Sequence, residues 1–167
     1  AMARPRTVPD ADVLDTVLEL MAAGGPKAVT FGAVAGRAGL AASSLAERHG
    51  TLAGMMAAAE AHRWDRIAAA TDRALAAAPD GPRGAIALLK ALEDCRELRP
   101  DALSADLPRA LDWRRRMEAE LSLRLGGGEK GRTAAAMLLA LWLGRMLWPR
   151  DAGPRLRLRE ALRRLMR

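Results

Sequence analysis

Few side chains in this sequence have the type and spacing that catalysis or metal binding requires. The two histidines, His49 and His62, have no carboxylate partners at ligand spacing, and the single cysteine, Cys95, can form neither an internal disulfide nor a thiolate cluster. No Ser/His/Asp order, Walker loop or dinucleotide-binding glycine pattern occurs; Gly126-Gly127-Gly128 follows a helical pattern, lacks a succeeding Lys-Ser/Thr, and reads as a helix stop. The sequence therefore predicts no catalytic residue, no metal and no cofactor, and it does not read as an enzyme. Its other candidates suit recognition: hydroxyl and guanidinium groups between Thr30 and Thr51, an arginine-rich last third, and tryptophan and methionine side chains able to line an apolar site.

These groups must be positioned by helices. The chain has no Tyr and one Phe, Phe31, while Ala, Leu, Met and Arg dominate, so strand signals are almost absent. At 167 residues, 50% hydrophobic and 28% charged, it can bury one good core or two small ones. Glycine and proline divide it into about nine helices. The first, over 10–23, opens on Asp10 as N-cap and carries Val13, Leu14, Val17, Leu18 and Met21 on one face. Short helices follow over 31–38 and 41–48, then a long one over 51–78. Later patterns give helices over 85–98, 103–107, 108–125, 129–148 and 154–167, with Pro82 suiting a first turn. The longest uncharged stretch, from 133 to 144, holds 12 residues against the ~20 of a membrane span, and no secretory signal precedes Asp10. A cytoplasmic location with no membrane partner is expected.

The net charge of +7 is unevenly placed. Residues 1–50 hold five Lys/Arg and five Asp/Glu, residues 51–108 seven and nine, and residues 109–167 fifteen and six. The excess is C-terminal, where Arg114, Arg115, Arg116, Arg155, Arg157, Arg159, Arg163 and Arg164 read first as a solvated face. A basic amphipathic last helix offers the alternative of an anionic ligand, nucleic acid or a membrane surface.

The two short helices, separated only by Gly39-Leu40, have the spacing of a helix-turn-helix. Over Thr30-Phe31-Gly32-Ala33-Val34-Ala35-Gly36-Arg37-Ala38-Gly39-Leu40-Ala41-Ala42-Ser43-Ser44-Leu45, with the preceding helix and Gly25, the sequence resembles the N-terminal domain of TetR-family transcriptional regulators. Thr30, Val34, Ala35, Ala38, Gly39, Leu40 and Leu45 match that pattern. Thr30 can cap the second helix and reach a phosphate, Ala35 lets two helices cross closely, and Gly39 tolerates a positive φ at the turn, with Val34, Leu40 and Leu45 as a buried seam. Where the family commonly has Tyr, an aromatic or His pair and a Lys, this sequence has Ala46, Arg48, His49 and Leu52. Two usual phosphate contacts are thus replaced, Arg48 and Thr51 being the substitutes at hand, and His49 fills the aromatic slot.

The resemblance implies an all-α, TetR-like fold with a helix-turn-helix domain over 1–50 and a ligand-binding and dimerisation bundle over 51–167. It implies double-stranded DNA as partner, met by Thr30, Arg37, Ala41, Ala42, Ser43, Ser44, Arg48, His49 and Thr51. An unidentified apolar or aromatic effector would lie among Trp64, Trp113, Met117, Trp142 and Met146, residues that otherwise read as core. A homodimer seam would run along Leu138, Leu139, Trp142, Leu158, Leu162 and Leu165. The function expected is a regulator, in the first instance a repressor, on a near-palindromic operator. The alternative is a TetR-like module that binds a small molecule or lipid and has lost specific DNA binding, which the neutral N-terminal segment favours. Cys95 reads as a small buried hydrophobe, with redox sensing as the rival role.

Overall fold

A computed structural model describes residues 8–147 and 157–166, and among them every regular element is a helix. The order is α1 (Asp10–Gly24), a single 3-10 turn (Pro26–Ala28), α2 (Phe31–Ala38), α3 (Ala42–His49), α4 (Leu52–Ala77), α5 (Gly81–Leu92), α6 (Pro100–Ala105), α7 (Leu107–Arg124), α8 (Gly128–Leu147) and α9 (Leu158–Leu165). Residues 148, 154–156 and 167, over which the sequence pattern extends two helices, lie outside the described residues, and Arg155 with them. Contacts divide the chain into two units, one ending at Asp65 and the other beginning at Arg66. The division falls inside α4, later than the boundary expected at residue 50, because Met55 and Ala59 of α4 belong to the core of the first unit.

That first core joins Val13, Val17 and Leu20 of α1 to Val29, to Val34 and Ala35 of α2, and to Leu45 of α3. Burying each large aliphatic side chain contributes about 1.5–3 kcal/mol. Thr30 caps α2, its hydroxyl oxygen accepting from the Ala33 N–H at 3.0 Å. Gly39 ends α2 at φ +69°, and the Leu40 N–H returns to the Ala35 carbonyl, which stops the helix and redirects the chain within three residues. The expectation that Asp10 caps α1 is corrected: Pro9 occupies the cap position without a side-chain bond, and Asp10 is the first helical residue.

In the second unit, α7 and α8 pack along their lengths, Gly131 resting on the Ser122 carbonyl where an added Cβ would come within 3.2 Å. Ile86, Leu88, Leu89 and Leu92 of α5 are buried, as are Trp113, Met117 and Leu121 of α7. Two helices differ from the sequence reading at both ends, the one expected over 103–107 being α6 at Pro100–Ala105. The helix expected over 85–98 begins at Gly81 and stops at Leu92, since Glu93 and Asp94 put negative charge at the wrong end of a helix dipole, and turns carry the chain on to buried Leu98. Proline sets the next starts: Pro100 opens α6, and Pro108 sits in the first turn of α7, where the Asp106 carboxylate accepts from the Arg109 N–H.

Two glycines on the same short helix separate backbone strain from helix propensity. Gly39→Ala forces a side chain into the left-handed region and should cost about 1–2 kcal/mol. Gly36→Ala, in a helix interior where an added Cβ meets nothing within 4 Å, should gain about 0.5–1 kcal/mol. Urea unfolding followed by circular dichroism checks the opposite signs.

Candidate nucleic-acid interface

Helix α3 buries Leu45 and turns Ala42, Ser43, Glu47 and Arg48 outward, with Ala41 exposed just before it. Ser44 and His49 are half-buried. The outer surface of this helix is therefore made of small side chains bounded by one acid and one base. Arg37, in the last turn of α2, is exposed and makes no ion pair among the described residues. Lys27, which sequence reasoning passed over, is exposed in the 3-10 turn. The Thr51 hydroxyl oxygen accepts from the Gly54 N–H at 3.0 Å, so Thr51 caps α4, and an added Cβ at Gly54 would stand 2.5 Å from the His49 carbonyl. The α3–α4 corner is thus close-packed backbone. His49 Nε2 is buried there with no hydrogen-bond partner among the described residues, as suits a ring used for packing.

Arg48 is engaged within the chain. Its Nη1 donates to the Val8 carbonyl and to Asp10 Oδ1, each at 3.1 Å. No sequence signal links residues that far apart. Arg63 is also committed, 8% exposed with its guanidinium 3.1 Å from Glu60, and in the second unit Arg66 lies 2.8 Å from Glu97. His62 Nε2 stands 3.0 Å from Asp15 and ties α4 to α1.

In the second unit the tryptophans and methionines named from sequence pack tightly. Trp113 and Trp142 have ring centroids 6.5 Å apart at 40°, and Met117 is fully buried. The Trp113 indole donates to Thr71 Oγ1 at 3.0 Å, whereas Trp142 Nε1 is buried without a partner among the described residues. Met146 is half-buried, and Trp64 is buried in the first unit. None of the five lines one groove found among the described residues of the second unit. That groove, of about 460 Å³, is bordered by Glu129, Lys130, Thr133, Ala134, Met137 and Leu165.

The expected dimer seam is corrected. Leu138, Leu139, Trp142, Leu158 and Leu162 are buried inside the single chain, and only Leu165 of that set keeps partial exposure. The apolar surface left on α8 faces away from the core: Met137 is 52% and Leu147 63% exposed, with Ala140 exposed and Leu141 and Gly144 half-buried between them.

The chain matches no known family model and no curated protein.

The C-terminal arginines are largely paired along their own helices, Arg114 with Glu118, Arg115 with Asp112, Arg124 with Glu120 and Arg164 with Glu160, while Arg116 reaches Asp72 on α4. This is a solvated, self-compensated surface, although Arg157, Arg159 and Arg163 make no ion pair among the described residues. Among the described residues no helix is long and apolar enough to cross a membrane, and no cluster of His, Cys, Asp and Glu could hold a metal. Cys95 is half-buried 3.5 Å from Glu97, and desolvation by burial pushes its thiol above its ordinary pKa, which disfavours the reactive thiolate.

Thr71→Val keeps the shape of the site but leaves the Trp113 N–H without its acceptor. The second unit should lose about 1–3 kcal/mol, read as a lower urea midpoint.

Proposed function

We propose that the chain is a TetR-like transcriptional regulator that binds duplex DNA through its first unit as a homodimer. The observation that carries this reading is the α2–Gly39–α3 corner, with Val34 and Leu45 turned into the core and the small residues Ala41, Ala42 and Ser43 left at the surface of α3. A helix so stripped of bulk can lie deep in a major groove about 12 Å wide. Ser43 and Ser44 are then the hydroxyls nearest base edges, and Glu47 is an acceptor suited to a cytosine amino group. Arg37 and Lys27 supply phosphate contacts that fix register without reading sequence.

The proposed seam of the homodimer is the outer face of α8, built on Met137, Ala140, Leu141, Gly144 and Leu147. Small residues at 140 and 144 permit close approach of a second helix. Two recognition helices related by a two-fold axis call for a near-palindromic site with half-sites about one helical turn apart. The proposed effector, a small apolar or aromatic molecule with a charged or polar group, suits the groove beside Met137 and Leu165, where Lys130 and Glu129 stand at the edge. It would act by favouring one arrangement of the dimer over another. Repression is the simplest regulatory sign.

A second reading has an observation of its own. Arg48 is held by Asp10 and Arg63 by Glu60, so cationic surface is scarce among the described residues of the first unit, as in a binding module for a small molecule or lipid that has given up specific DNA recognition. Selection of duplexes from a random pool, followed by anisotropy titration at several salt concentrations, separates the two. The regulator reading expects an enriched near-palindrome, weaker binding by Ser44→Ala, and for Arg37→Ala a salt slope shallower by about 0.9 per lost phosphate contact in each copy. No enrichment, with binding no better than to mixed-sequence DNA, selects the module. Independently, Gly144→Arg, at a position where an added Cβ meets nothing within 4 Å inside the chain, should convert the dimer to a monomer in sedimentation while its helicity by circular dichroism is retained.

A further inference from the structure

Arg48 is the one Lys or Arg on α3, in its last turn, and its partner is not a neighbour on that helix but Asp10 of α1. Asp10 has no capping role, since α1 begins without a side-chain cap bond. Its carboxylate is 66% exposed and the Arg48 side chain 29%, so both groups lie where an incoming phosphate would compete. Carboxylate and phosphate oxygens are equivalent partners for a guanidinium. We propose that Asp10 is an intramolecular stand-in for a DNA phosphate, an autoinhibitory contact that neutralises Arg48 until duplex displaces it. The inference rests on the DNA-binding reading and adds to it a built-in brake.

The exposure of the pair sets the strength of the brake. Exposed ion pairs are weak, so displacement costs only a few-fold in affinity and the contact attenuates binding without blocking it. Two Arg48 nitrogens, Nε and Nη2, donate to nothing among the described residues, and the Val8 carbonyl still holds Nη1 when the carboxylate leaves. Arg48 therefore does not need to be rebuilt to meet a phosphate. It needs only to lose its resident anion.

The probe is a short labelled duplex of mixed sequence, because phosphate contacts carry no sequence information. Asp10→Asn should bind it about 1.4- to 5-fold more tightly than the unaltered chain. The dependence of log affinity on log salt should stay that of the unaltered chain, because Arg48 meets the phosphate in both complexes, and should become shallower by about 0.9 for each Arg48 removed in Arg48→Ala. Asp12→Asn, in the same helical turn and without a cation partner, measures the general effect of removing one negative charge. In an Arg48→Ala background the excess gain of Asp10→Asn over Asp12→Asn should vanish. Equal gains for the two Asn variants, weaker binding by Asp10→Asn, or a gain that survives without Arg48 would each overturn the proposal. Binding by no variant at low salt, with helicity intact by circular dichroism, would instead remove the DNA-binding reading on which it stands.

Discussion

The first unit depends on a single change of direction. Gly39 takes φ +69°, the helix ends at Ala38 with the Leu40 N–H returning to the Ala35 carbonyl, and the next helix starts at Ala42, so that Val34 and Leu45 enter the same core from two sides. A side chain at 39 would strain that turn, and a bulkier residue at 35 would hold α2 off its neighbours. Everything proposed for α3 follows from this corner, because its outward residues are outward only while Leu45 is pinned. Thr30 and Thr51 support the arrangement from either end by capping α2 and α4.

Charge then limits what the corner can do. Residues 1–50 hold five cations and five acids, and with Arg48 joined to Asp10 the described residues of the first unit offer mainly Arg37 and Lys27 to a polyanion. Nonspecific affinity for DNA scales with the phosphates neutralised, so it should be low here. The larger positive charge lies in the second unit, where i, i+3 and i, i+4 pairs such as Arg115–Asp112 and Arg114–Glu118 absorb much of it. Total charge is thus a poor guide to the partner of this chain.

The helices and their punctuation were legible in the sequence because glycine, proline and apolar spacing act locally. α1, α2 and α3 fall within a residue or so of the expected bounds, as does the Gly39 turn. What could not be read were interactions between distant residues. Leu138, Leu139 and Trp142 have the spacing of a helix face that must be covered, but periodicity does not say whether the cover is α7 or a second copy; the structure covers them within the chain and leaves Met137, Ala140 and Leu147 outside. Within the expected ligand set, the same limit hid that the indoles of Trp113 and Trp142 pack against each other. The Arg48–Asp10 contact joins positions with no periodic relation, and Asp10 read as a cap because its type suits one.

The most direct test of the central claim is a guanine-N7 interference footprint on the duplex that the protein selects from a random pool. Recognition by paired α3 helices predicts two blocks of interference in successive major grooves, related by a two-fold axis and about 34–36 Å apart. Interference limited to one unsymmetrical block, or none in the major groove while the complex forms, would contradict it.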